Sequence, residues 1–304
     1  MTATSIKPST PAGPARRRGA LSRRPRRVNR LGVGQRFGAA LAWLLVAFNI
    51  AVLLWLVMSS LKTTRAIFDN PWSMPTTLEL GNYARAWTDS KFGAAAINTV
   101  VVVLLSGGFI VAFAAPAAYA LARGASRVGP AATALLAVGM GIPFQVIMIP
   151  LFVMLQRLNL VNSLAGLILI YVATSLPFTV ILLTGFFRTL PSEMEEAAAL
   201  DGAGVMRTFV TIMLPLVRSG LITAFLLNVI GLWNETFIAL IFLQSANNQT
   251  LSLALLGFMQ RQQYNGADWG GLFAGVCILV VPTLLLYMWL GRRIVEGLTL
   301  GAGK

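Results

Sequence analysis

Residues 97–121 read INTVVVVLLSGGFIVAFAAPAAYAL, 25 consecutive positions without a charged side chain. Wound as an α-helix, such a stretch runs roughly 37 Å at ~1.5 Å per residue, enough to cross the ~30 Å hydrocarbon core of a bilayer. Five further stretches qualify, near residues 38–61, 131–155, 164–187, 219–243 and 269–290. The whole chain agrees with them. It has 304 residues, of which 57% are hydrophobic and 11% charged, and its mean hydropathy is +0.75. A soluble domain carries about 25% charged residues, so this chain cannot cover a globule with a solvated surface, and its solvent is lipid. The expected fold class is an all-α integral membrane protein with six transmembrane helices in one domain, residues 37–304.

Pro116, Pro143, Pro150, Pro177 and Pro282 fall inside these stretches. A bundle tolerates kinked helices where neighbouring groups satisfy the freed carbonyls. The net charge of +14 is unevenly spread, with ten of the 24 basic residues between Lys7 and Arg36 and no acid among them. Residues 1–36, rich in Pro, Gly, Ser and Arg, are expected to be a disordered basic cytoplasmic tail. Placing it inside leaves 18 basic residues on inner segments and six on outer ones. That excess puts both termini in the cytoplasm. A basic segment ahead of a span attracts anionic lipid, and lipid rather than nucleic acid is its expected partner. There is no His, and Cys277 is the only Cys. That inventory excludes an internal disulfide, a Cys/His metal site and His-dependent nucleophilic catalysis.

One inner connection, residues 188–218, is far longer than a turn requires. It contains Pro191-Ser192-Glu193-Met194-Glu195-Glu196-Ala197-Ala198-Ala199-Leu200-Asp201-Gly202. Ser192 followed by Glu195 reads as a capping box, and Glu193, Glu195 and Glu196 suit the positive end of a helix dipole. Gly202 suits the left-handed residue that closes such a helix. A second amphipathic segment follows through Val205, Met206, Phe209, Val210 and Met213 to Leu214-Pro215. Small Ala side chains beside Met194 allow close approach. The pair reads either as a rigid knob for a partner's groove or as a helix resting on the membrane surface.

Glu196-Ala197-Ala198, three residues, Gly202, nine residues and Ile212-Met213-Leu214-Pro215 resemble the EAA loop of permease subunits in ATP-binding-cassette importers. Asn98-Thr99-Val100, Ala118-Tyr119-Ala120-Leu121-Ala122-Arg123 and Leu232-Trp233-Asn234-Glu235 look like carbohydrate-importer permeases. The stretch from Arg292 to Lys304 is similar to the tail of the smaller maltose-type permease subunit. The likeness covers roughly residues 38–304. It implies that Glu196, Ala197, Ala198, Asp201 and Gly202 contact a cytoplasmic ATPase. It also implies a second homologous permease, two ATPase subunits and an extracytoplasmic solute-binding protein. No G-x-x-x-x-G-K-[ST] element occurs, so ATP and Mg are expected on the partner ATPase, with no cofactor and no catalytic group on this chain.

Glu235 is the one carboxylate placed within a span. An ionisable group there faces the bundle or a cavity, and either borders the solute path or pairs between helices. Asn228, Asn234 and Gln145 are further polar candidates for that path. The outer segment from Gln244 to Asp268 holds Asn247, Asn248, Gln249, Gln262 and Gln263. Their amides both donate and accept, and the resemblance implies contact with the binding protein there. A six-span secondary transporter or channel uncoupled from ATP is the alternative. One intramembrane Glu and no His make poor provision for ion coupling, and the long inner loop would then have no purpose.

Overall fold

Backbone N–H and C=O groups in hydrocarbon must pair within their own segment, and the charge-free stretches do so as helices. The computed structural model describes residues 33–89, 91–124 and 128–302, and every regular element among them is helical. In chain order these are α1 Val33–Ser60, α2 Thr64–Asp69, α3 Gly81–Asp89, α4 Phe92–Arg123, α5 Val128–Gly141, α6 Phe144–Arg157 and α7 Leu164–Arg188. There follow α8 Glu193–Leu200, α9 Val205–Thr208, a π-helical turn Phe209–Met213, α10 Leu214–Leu216, α11 Arg218–Trp233, α12 Phe237–Phe242, α13 Leu251–Asn265 and α14 Trp269–Ala302. The chain divides after Ile50. The described part of the first unit is the opening stretch of α1 alone, and the contacts and cavities described below belong to the second unit. The basic tail lies outside the described residues except for its last four, which are helical.

Phe37–Ser60, Phe92–Arg123 and Leu164–Arg188 are each long and apolar enough to span a membrane. Two other expected spans are broken. Residues 131–155 form α5 and α6, which meet at 96°. Pro143 has no N–H to give to Gly139 and biases Ile142 out of the helical region, so the chain turns there and restarts at Phe144. Residues 219–243 stop at Trp233 and restart at Phe237. The expected sixth stretch opens as the shorter apolar helix Trp269–Leu285. Pro116, Pro150, Pro177 and Pro282 all sit within continuous helices.

Helices α4 and α7 form the spine, with α11 against both. Val102 and Ile110 of α4 share one core with Leu167 and Tyr171 of α7, and Ala114 and Ala118 share a second with Val180 and Leu183. The two helices therefore run in the same direction, which requires the bent α5–α6 pair to carry the chain back from one end to the other. Val229 and Leu232 join the first core while Val217 and Ala224 join the second, so α11 runs the opposite way. The last turn of α4 and the connection 188–218 thus lie at one end of the spine. Small side chains permit the close approach of helices. At Gly220 an added Cβ would sit 2.6 Å from the Phe186 ring.

The opposite end is closed by polar stitching. Lys62 is 2% exposed, and its Nζ donates to Asn70 O at 3.2 Å, Pro71 O at 3.2 Å and Ser73 Oγ at 3.3 Å. Asn82 Nδ2 donates to Ser60 O and Lys62 O, both at 2.8 Å. Asp268 caps α14 by accepting from Gly271 N at 3.0 Å and pairs with Arg85 Nε at 2.9 Å. Burial opposes the charge on Asp268. The Arg85 hydrogen bond, the Gly271 N–H, the Arg85 charge and the Thr64 hydroxyl outweigh it and hold the carboxyl below its usual value. A group with a depressed folded pKa stabilises above its unfolded pKa and loses that stabilisation as pH falls through the folded value. The melting-temperature gap between wild type and Asp268→Asn in detergent should therefore hold steady from neutral pH downward and shrink below about pH 4.

Candidate functional site

The inner loop is anchored by side chains that come from far along the chain. Ser192 has helical backbone angles and makes no side-chain cap, so the expected capping box does not form. Glu195 is drawn elsewhere. Its Oε1 accepts from Tyr119 Oη at 2.6 Å, and its Oε2 lies 2.9 Å from Arg123 Nε. The pair is half-buried, at 21% and 20% exposure. The Arg123 Nε contact is a close ion pair without hydrogen-bond alignment, while its Nη2 donates to Leu190 O at 2.8 Å. A carboxylate offered a phenol and a guanidinium in a partly desolvated pocket gains more there than from one backbone N–H.

The helix ends as the sequence suggests. Gly202 adopts φ +76°, its N–H bonds to Ala199 O at 3.0 Å, and the Ala203 N–H bonds to Ala198 O at 2.9 Å, the Schellman pattern that a left-handed glycine permits. Beyond it, Phe209 and Met213 turn inward through the π-helical turn. Phe209 lies 5.1 Å from Tyr119 and 6.3 Å from Phe187, ring to ring. Ala198 is buried at 3% exposure. Glu193, Glu196, Ala197, Asp201 and Gly202 face outward, together with Leu200 at 89%, Val205 at 76% and Met206 at 72% exposure. The loop thus exposes large apolar side chains together with Glu193, Glu196, Asp201 and Arg207 above a packed base.

Span five breaks around Glu235. Its Oε1 accepts from Ile238 N at 2.7 Å and its Oε2 from Ala239 N at 3.2 Å, which caps α12. Tyr171 Oη donates to Oε2 at 2.7 Å, and Ser252 Oγ donates to the Glu235 carbonyl at 2.7 Å. Asn228 Nδ2 donates to Thr179 Oγ1 at 3.0 Å and Ala224 O at 2.8 Å. Glu235 and Asn228 line one cavity of about 280 Å³ between α7 and α11. Asn234 stands beside it, bonded to Ile230 O. Gln145 is exposed in the first turn of α6 and is not part of the cavity.

The outer amides hold the structure together. Asn247 Oδ1 accepts from Lys91 Nζ at 3.1 Å, and Asn98 Nδ2 donates to the carbonyls of Asn247 at 2.8 Å and Gln249 at 3.0 Å. Asn248 Nδ2 donates to Asn162 O, and Gln262 Oε1 accepts from Asp268 N at 3.0 Å. The Gln263 side chain lies outside the described residues. The segment itself contains the helix α13, whose Leu251–Leu255 turn is buried. Sequence reasoning missed Asn162, which has φ +57° and whose Oδ1 accepts from Gln244 N and Ser245 N. The Asn162-Ser163 pair just ahead of a span was the available signal. It also missed Tyr119, Arg123 and Tyr171 as partners of the two glutamates.

The site is thus a set of long apolar helices around a polar break, with a loop on a packed base projecting at one end. Residues 111–299 match the family described as binding-protein-dependent transport system inner membrane component. The chain is 36% identical over 88% of its length to a diacetylchitobiose uptake system permease of Streptomyces coelicolor, covering 89% of that protein. It is 33% identical over 82% of its length to a melibiose/raffinose/stachyose import permease of Bacillus subtilis, with 89% of that protein covered. A trehalose transport system permease of Mycobacterium tuberculosis is 31% identical over 88% of the chain and 97% of its own length. The fold also resembles a crystal structure of a bacterial ABC transporter involved in the import of the acidic polysaccharide alginate. The TM-score is 0.72 at 23% identity, over 84% of this chain and 95% of that one. The chain belongs to the binding-protein-dependent transport family and is a multi-pass permease subunit of an ATP-binding-cassette importer.

The Glu195 anchor has a measurable strength. Glu195→Ala leaves the Arg123 guanidinium without its counter-charge and the Tyr119 hydroxyl without its acceptor and should cost about 1–3 kcal/mol, against about 1 kcal/mol for Tyr119→Phe. A double-mutant cycle over Arg123→Met and Glu195→Gln, read by melting in detergent, should return a coupling energy of about 1 kcal/mol or more. Additive losses would mean the pair does no anchoring.

Proposed function

We propose that this permease carries a neutral carbohydrate into the cytoplasm by alternating access, driven by separate ATPase subunits that bind ATP and Mg and dock on the loop between α7 and α11. The observation that carries the reading is the loop's tip. Leu200, Val205 and Met206 are large apolar side chains left in the open, and burying each against a partner would yield about 1.5–3 kcal/mol. Glu193, Glu196 and Asp201 surround them without an ion pair among the described residues, a pattern that fits a groove with a basic rim. The base of the same loop is packed into α4 and α7 through Phe209, Met213 and Glu195. A push on the tip is therefore passed to the spine rather than absorbed in a hinge. The contact surface is assigned to Glu196, Ala197, Asp201 and Gly202, with Ala198 supporting it from beneath.

The names of the relatives support the carbohydrate class. The wider assembly in this proposal is two ATPases, this chain, a second homologous permease and a solute-binding protein on the outer face. Both termini lie in the cytoplasm of a bacterial inner membrane, and ATP hydrolysis is left to the partner. The break at Glu235, with Asn228 and Asn234, borders the solute path.

The test is the reconstituted importer. Proline cannot adopt the φ of +76° found at Gly202, and Glu196→Lys reverses a charge on the docking face. Both variants should insert normally, lose copurification with the ATPase and lower uptake by about tenfold or more, as loss of some 1.4 kcal/mol or more would. Wild-type uptake in both would refute the coupling assignment.

A further inference from the structure

A second cavity lies at the end of the spine that carries the loop between α7 and α11. Its volume of about 530 Å³ falls within the ~300–1,000 Å³ of sites that enclose a small molecule. It is walled by Leu121 and Ala122 from the last turn of α4, by Thr133, Ala134 and Ala137 from one face of α5, and by Arg188, the last residue of α7. Ala134, Ala137 and Arg188 are exposed, so the cleft is open on one side. The Arg188 guanidinium has no ion pair and no hydrogen bond among the described residues. Arg123, at the end of α4, is already committed to Glu195 and to Leu190 O. Thr133 Oγ1 gives its hydrogen to Gly129 O at 2.9 Å and keeps lone pairs to accept with. A cleft with an uncommitted guanidinium at its rim and aliphatic walls fits a ligand with an anionic head and an apolar body. Height decides which such ligand is at hand. Helix α7 has 25 residues, roughly 37 Å at ~1.5 Å per residue, against a hydrocarbon core of ~30 Å. Its last residue therefore stands at the headgroups, where a guanidinium binds phosphate through paired N–H groups. Beside the cleft face of α5, Leu135 and Val138 are exposed as well, a surface suited to acyl chains.

We infer that this cleft holds one anionic glycerophospholipid of the leaflet on the side of the α7–α11 loop, with its phosphate on Arg188, a headgroup hydroxyl on Thr133, and its glycerol and upper methylenes against Leu121, Ala134 and Ala137. The site shares no lining residue with the cavity at Glu235 and needs neither the carbohydrate reading nor the docking of an ATPase. It bridges α4, α5 and α7, so the occupied cleft ties the bent α5–α6 pair to the spine on which the loop rests.

The experiment uses the complete importer, assembled in nanodiscs of phosphatidylcholine doped with phosphatidylglycerol and moved into mild detergent. Lipid retained per complex is counted by native mass spectrometry. Wild type should keep one phosphatidylglycerol more than Arg188→Gln. The affinity for it, read by titrating the lipid back into stripped importer, should fall by about tenfold or more in that variant, as loss of a charge-assisted bidentate pair requires. Phosphatidylcholine should show no such difference. Ala134→Leu keeps the cation but fills the cleft, and should lose the lipid too. Arg188 and Ala134 are exposed, so neither change opens a void in the core. If Ala134→Leu fails to assemble, Ala137→Leu on the same wall replaces it. Inorganic phosphate and glycerophosphate in millimolar excess should not displace the lipid; displacement would show an anion site without an acyl seat and overturn the lipid assignment. Equal phosphatidylglycerol in wild type and Arg188→Gln overturns the site, and so does undiminished retention in the cleft-filled variant. A wild-type importer that keeps no phosphatidylglycerol has the cleft covered by a protein partner, which overturns it as well.

Discussion

An unpaired backbone N–H in hydrocarbon costs several kcal/mol, and that constraint decides where this chain can stop being helical. Four prolines pass through helices without ending them. The break in span five survives because one side chain does the work of the missing turn. Glu235 takes the N–H groups of Ile238 and Ala239, and Ser252 satisfies the carbonyl it leaves behind. A carboxylate at the start of a helix is also favoured by the helix dipole, and Tyr171 supplies a third donor. The charge is therefore both a structural cap and part of a polar cavity wall. The pairing between helices that the sequence offers for Glu235 is made with Tyr171 of α7.

The same accounting explains the loop between α7 and α11. Its helix is only eight residues long, too short to be stable alone, and it is held by contacts made elsewhere. Glu195 ties it to the end of α4, Phe209 and Met213 root it among Phe187 and Tyr119, and Gly202 closes it with a left-handed turn. What remains on the surface is a small set of acids and large apolar groups. The proposed coupling draws on that stiff base, because a compliant one would absorb motion instead of passing it to α4, α7 and α11.

Much of this was legible in the sequence where the cause is local. Long charge-free runs force helices, so three spans appear where expected. The turn at Gly202 follows from the residue type and its place after an alanine run. The sequence places five prolines inside spans without distinguishing them, and of these Pro143 is where a helix ends, at a bend of 96°. The cap at Ser192 was misjudged because its partner Glu195 bonds Tyr119, 76 positions away. Glu235 and Tyr171 are 64 positions apart, and no local pattern links them. The outer amides, for which the resemblance implies contact with a binding protein, also bond within the chain, Asn248 to Asn162 and Gln262 to Asp268.

The sequence by itself determined that the chain lives in lipid, that it is helical and that its long inner connection holds a short helix closed at Gly202, because composition, apolar run length and turn chemistry act over a few residues. Only the tertiary structure decided which glutamate anchors the loop, which one caps the broken span and which polar groups share a cavity. Those outcomes depend on α4, α7 and α11 lying side by side, and side-chain contacts across helices are fixed by packing geometry that no local spacing encodes.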